Sequence, residues 1–107
     1  MRIIYNKILP AKGFAAINLF GVVFARKEYK PLSRRTENHE AIHTAQMKEM
    51  LYIGFYLWYL IEWVVLLFKY RNSKKAYMNI RFEKEAYAND NDLYYLDSRK
   101  RYSWKNY

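Results

Sequence analysis

The chain has no cysteine, only two histidines, three glycines and two prolines among its 107 residues. Without cysteine there is no disulfide framework and no thiolate ligand set, so any metal site must draw on His and carboxylate donors. The redox compartment therefore leaves no mark. Residues 1–12 carry charge but no long apolar run, which predicts no secretory signal peptide and a cytoplasmic or membrane-associated protein. Acidic residues are scarce, 10 against 19 basic, for a net charge of +9. No recognisable nucleic-acid module accompanies the scattered Arg and Lys, so no nucleic-acid partner is expected. An anionic membrane surface suits this balance better. Apolar surface is plentiful: 52% of residues are hydrophobic and 20% aromatic. That excludes a disordered segment and suffices for one modest domain over 1–107.

Both histidines fall in one pentapeptide, His39-Glu40-Ala41-Ile42-His43. On a helix, this H-E-x-x-H spacing stacks two imidazoles one turn apart on the same face, a bite that suits Zn2+. Glu40 is rotated by about a quarter turn from His39. It can thus reach a metal-bound water without ligating the metal, and take its proton as the metal lowers the water pKa from 15.7 to about 7. Ser33, Thr36 and Asn38 are all candidate N-caps, so the helix is expected from about Glu37. The plain alternative is a solvated helix face with two ordinary histidines.

Around the motif, residues 14–26 are β-branched and aromatic. They read as a short hairpin, strands at about 14–18 and 21–26, turning near Asn18 to Gly21. A core hairpin is the simple reading; an edge strand beside the metal, to which an extended peptide adds by backbone pairing, is the functional one. Residues 27–36 form a polar loop in which Pro31 ends any strand. Residues 37–70 hold the motif helix, with Ile42, Ala45, Met50 and Ile53 on its apolar side interrupted by Gln46 and Glu49, and then a long apolar helix. A further helix is expected at 76–90, and an aromatic tail at 92–107 packs back on the core. The fold class is α+β, mostly helical.

Catalytic zinc usually keeps three protein ligands and one open position. With no third histidine the partner must be a carboxylate. Glu49 points away from the histidines on the motif helix, and Glu62 lies about 28 Å along a continuous helix from His43. This leaves the stretch Phe82-Glu83-Lys84-Glu85-Ala86-Tyr87-Ala88-Asn89. Here the chain resembles the gluzincin metallopeptidases, which place the third ligand in a second helix as E-x-x-x-D or E-x-x-A-[D/N]. It is also similar to short uncharacterised bacterial proteins with an N-H-E-x-I-H-x-x-Q start and an F-E-x-E-A-Y element. The resemblance implies a zincin-like helical core under the hairpin, a Zn2+ cofactor, and a zinc hydrolase acting on a peptide or protein substrate. It implies Glu85 as third ligand, with Asn89 orienting a histidine and Ala88 permitting close packing. Glu83, with Ala86 three residues on, is the alternative. Tyr87 or Tyr94 is the candidate donor to an oxyanion.

Met50 to Phe68 is apolar all round except Glu62, and nineteen residues cover about 28 Å, close to a bilayer core. A single crossing would put the histidines and Glu83 or Glu85 on opposite sides of the membrane. The segment must therefore bend, with Gly54 the expected hinge, or lie on one side as an interfacial or buried helix. A homodimer through residues 50–68 buries the same surface. The competing functional reading is a non-enzymatic membrane-associated or partner-binding protein that uses this aromatic helix.

Overall fold

In the computed structural model, which describes residues 2–107, the chain is α+β. Strands β1 (Arg2–Asn6), β2 (Ala16–Leu19) and β3 (Val22–Arg26) form one sheet in the order β1-β3-β2. β2 and β3 make the expected hairpin, with Ile17 opposite Phe24 and Leu19 opposite Val22. Phe20 and Gly21 turn it with φ of 53° and 89°, the double positive φ of a two-residue turn that twists with the sheet. The Asn18 side chain accepts the Gly21 N–H and closes the turn. β1 is an addition to the expected fold. It pairs in parallel with β3, from Arg2 opposite Val22 to Asn6 opposite Arg26.

Five helices follow: α1 (Arg34–Glu49), α2 (Ile53–Tyr70), α3 (Ser73–Asn79), α4 (Arg81–Asn89) and α5 (Tyr95–Ser98), with a final 3-10 turn at Ser103–Asn106. Ser33 is the cap that starts α1, its Oγ accepting the Thr36 N–H at 3.1 Å. α1 ends where Leu51 and Tyr52 both take positive φ, 55° and 61°. The bend expected at Gly54 is therefore at Leu51-Tyr52, and Gly54 lies inside α2. The helix expected at 76–90 is two helices, because Ile80 is extended (ψ 129°) between α3 and α4. Ile80 is fully buried, so the break sinks an apolar side chain into the core where an unbroken helix would carry it around.

The core is Met47, Phe55, Ile80, Phe82 and Trp104, one residue or more from each helix from α1 to α4 or its boundary and one from the tail. Trp104 meets Phe82 at 5.0 Å and Trp58 at 5.2 Å between ring centroids, which is how the aromatic tail closes over the helices. The face of α1 turned to this core is unusually polar: Asn38, His39, Ile42, His43, Gln46 and Met47. Ile53, expected on that apolar side, is exposed instead, and Gln46, expected to interrupt it, is fully buried. Buried polar side chains on a helix demand partners. α4 supplies them.

Candidate metal centre

His39 and His43 stand one turn apart on α1, their rings edge to face with centroids 4.8 Å apart. Their Nε2 atoms approach to 3.1 Å. Glu83 of α4 places Oε1 between them, 3.2 Å from His39 Nε2 and 3.0 Å from His43 Nε2. All three side chains are buried. The other carboxylate oxygen, Oε2, accepts from the Tyr59 hydroxyl at 2.7 Å, so Glu83 is pinned with one oxygen presented to the histidines.

The outer ring nitrogens decide what the inner ones can be. His39 Nδ1 lies 3.0 Å from Asp90 Oδ2, and a carboxylate only accepts, so Nδ1 carries the proton. His43 Nδ1 lies 2.8 Å from Gln46 Oε1. The Gln46 amide nitrogen faces two acceptors, the Phe82 carbonyl at 3.0 Å and Glu85 Oε1 at 2.9 Å, which leaves its oxygen to accept from Nδ1. Both Nε2 atoms are thereby turned, as lone pairs, toward the Glu83 oxygen. Three acceptor atoms converging at 3.0–3.2 Å in a buried site repel one another unless a cation sits among them. Tetrahedral ligands at about 2.0–2.1 Å from zinc stand about 3.3 Å apart, so the donor set fits that ion with little adjustment.

The charge pattern agrees. Burial opposes the charged form of His43, but Glu83 beside it, by attraction and hydrogen bond, carries its pKa up to about 9. Glu83 itself is penalised by burial and then drawn well below the usual carboxylate range by His43, His39 and Tyr59. In the metal-free chain a proton on His43 takes the cation's part. The folded pKa lies above the ordinary 6.5, so this contribution to stability is complete below pH 6.5 and disappears as pH rises through about 9. Denaturation of chelator-stripped protein should show stability falling over that interval, and saturating zinc should flatten the slope. A metal-free chain whose stability rises between pH 6.5 and 9 would contradict this charge assignment.

Glu40 follows the expected rotation. It lines the same cleft as His39, His43 and Glu83, a cavity of about 860 Å³. Among the described residues its carboxylate makes no hydrogen bond. Burial raises its pKa, partly countered by His43 and His39, while Glu83 adds to the rise. A desolvated carboxylate without a partner, facing a cleft, is poised to accept a proton. The β2 edge forms one wall, with Ile17 and Asn18; Tyr56, Tyr59, Tyr77 and Tyr87 line the rest. Arg26 N–H bonds the Ala15 carbonyl, so by alternation Ala16 and Asn18 turn their backbone groups away from β3.

Glu85 is not at the histidines. It sits on the opposite side of α4, about 200° around from Glu83, where Arg99 grips it (Nε to Oε2, 2.5 Å) and Tyr95 and Gln46 donate to it. Its charge is already met by a guanidinium, and neither of its oxygens is among the atoms that converge with the histidines. Asn89 does not reach a histidine either; its amide donates to the Glu85 carbonyl and the Tyr107 hydroxyl. The orienting carboxylate is Asp90, seven residues after Glu83. That is one turn beyond the expected i+4 position and within about 20° of the same face. Ala86, fully buried, is the small residue that lets α4 close on α1. Tyr87 packs on His39 at 4.5 Å between centroids, its hydroxyl 2.9 Å from that of Tyr77. Tyr94 is exposed and lies outside the cleft lining.

Compared with known proteins, the chain matches no family model, no curated protein and no solved structure. The likeness to gluzincins thus rests on the two motifs alone. In the structure every fixed letter of those motifs except Glu40, whose carboxylate is unpartnered among the described residues, has a side-chain contact. Asn38 donates to the Asp90 and Asp92 carbonyls, at 3.0 and 2.9 Å, and holds the end of α4 against the start of α1. Ile42 and Phe82 are core, and Gln46 and Glu85 form a buried pair behind His43. Sequence reading missed Asp90, Arg99 and Tyr59. An acidic residue two turns after Glu83 was the available signal for Asp90; for Arg99 and Tyr59 there was none short of the fold.

Proposed function

We propose that the chain is a zinc-dependent metallohydrolase, acting on peptide bonds, in which His39, His43 and Glu83 hold the metal and Glu40 is the general base. The observation that carries this reading is the convergence of three buried acceptor atoms on one point at the wall of a cleft, with an unpartnered carboxylate beside them. A bound zinc ion supplies a Lewis acid that polarises a carbonyl and acidifies water. The chain's own residues do the rest. Asp90 and Gln46 hold the imidazoles in the tautomer that presents Nε2 inward, and Tyr59 fixes the Glu83 rotamer. Glu40 takes the proton of the attacking water and returns it to the leaving amine. The Tyr77–Tyr87 hydroxyl pair stands at the cleft wall where an oxyanion donor is useful. The outward backbone of β2 around Ala16 supports an extended peptide as the substrate, paired along the part of the edge that precedes the Asn18 carbonyl, which accepts from the Tyr56 hydroxyl.

Glu40→Gln keeps the shape of the side chain and removes its basicity. The variant should bind zinc and unfold like the native chain while hydrolysis of a peptide library drops by about 10²–10⁴-fold, the usual worth of a positioned base. Loss of zinc in this variant would mean that Glu40 is a ligand and that the roles are wrongly divided. Full retention of hydrolysis would mean that another group is the base.

A further inference from the structure

Among the described residues α2 is the one long apolar helix, and only one side of it packs against the rest of the fold. Of its 18 residues only Phe55 is buried. The core helix of a water-soluble domain with this composition buries most of its length; this one does not. Its inner face is aromatic, with Phe55, Tyr59 and Trp63 against the core. Its outer face is aliphatic: Ile53, Leu57, Leu60, Ile61, Val65 and Phe68 are 57–78% exposed. These recur at helical spacing and make a continuous stripe about 23 Å long. Phe20, at the hairpin tip, extends it past the N-terminal end by packing on Tyr52 and Tyr56.

A helix surrounded by lipid is ruled out by what α2 touches. Arg71 turns the chain (φ 52°), α3 packs back along α2, and Arg81 reaches Glu62 midway along it at 3.2 Å. One side of α2 is therefore protein, and only the other can meet a second phase. Cations mark where that phase begins. Lys69, Arg71, Lys74 and Lys75 cluster at the C-terminal end. Lys69, Arg81 and Lys84 line a groove of about 820 Å³ along the flank of α2, whose floor includes Leu57, Trp58, Ile61 and Val65. Arg81 is paired with Glu62, which lines the same groove, and this leaves Lys69 and Lys84 as the rim cations over an apolar floor, an arrangement complementary to acyl chains below anionic headgroups. A second copy of the chain is a poorer occupant, since it would set +9 against +9 and the cationic rim near its own image.

We propose that the outer face of α2 seats in the surface of an anionic bilayer, with the helix in the membrane plane and the flanking cations at the headgroups. The inference is independent of the hydrolytic reading, because lipid binding needs neither metal nor turnover. The test is co-sedimentation of the full chain with vesicles of phosphatidylcholine plus phosphatidylserine, or of phosphatidylcholine alone. Binding should be at least about tenfold tighter to the anionic vesicles and weaken with salt. Ile61→Glu with Val65→Glu, both at exposed positions, should abolish it while the circular dichroism spectrum stays native. Lys69→Glu with Lys84→Glu should erase the preference for anionic lipid. Failure to sediment with either vesicle, equal binding to both, or native binding by the Ile61→Glu/Val65→Glu chain would overturn the proposal. So would a concentration-dependent dimer, without lipid binding, that the same double variant dissolves, since that assigns the face to a second copy.

Discussion

Glu83→Gln should cost the protein its zinc, while Glu85→Gln should leave most of it in place. The two glutamates are neighbours in sequence and both are buried, so sequence position alone would not separate them. Their partners do. Among the described residues Glu83 Oε1 is the only carboxylate oxygen within 3.2 Å of both Nε2 atoms, and an amide there is a neutral and much poorer ligand. Glu85 acts on the site only through Gln46, which orients His43. Loss of an orienting partner of this kind costs about 10–100-fold in metal affinity, and loss of one of three ligands should cost more than that. Elemental analysis of native protein purified without chelators should find near-stoichiometric zinc. Competition with a chromophoric chelator then ranks the two variants. Native protein with no transition metal would end the metallohydrolase reading. Zinc retained by Glu83→Gln and lost by Glu85→Gln would reverse the ligand assignment.

Why the ligand register was hard to read is instructive. The pentapeptide His39–His43 states its own geometry, because four residues on a helix fix two side chains relative to each other. The hairpin was legible for a similar reason: Phe20-Gly21 is flanked by β-branched and aromatic residues and the pairing is local. Which face of α4 meets α1 is not a local property. It depends on Ile80 breaking the helix, on Ala86 permitting close approach, and on where the neutralising cation for the other glutamate comes from. That cation is Arg99, fourteen residues beyond Glu85 in a tail with no strong pattern. A carboxylate already paired with a guanidinium is a poor candidate for a metal, and no motif register carries that information. β1 was missed for the same reason: Arg2–Asn6 has only a short apolar run, and its parallel partner β3 arrives sixteen residues after its end.

Arg99→Ala should be strongly destabilising, on a par with truncating a core aromatic. The Arg99 side chain is 5% exposed and joins two carboxylates whose side chains are also shielded, Glu49 through Nη1 and Nη2 at 3.0 and 2.9 Å and Glu85 through Nε and Nη2 at 2.5 and 3.1 Å. Its removal leaves two uncompensated charges in the interior, for which breaking a buried pair gives a cost of about 3–5 kcal/mol. A domain of this size has of order 5–15 kcal/mol in total, so a large part of its stability would go. Arg99→Lys keeps one charge and loses the planar fork that matches two carboxylates at once, and should fall between native and Ala. The sharper test pairs Arg99→Met with Glu85→Gln, which deletes one of the two stranded charges while Tyr95 and Gln46 can still bond the amide. If the clamp works as described, this double variant recovers part of the loss in chemical denaturation. Stability no better than Arg99→Met alone would show that Arg99 contributes by packing the tail and not by neutralising Glu85.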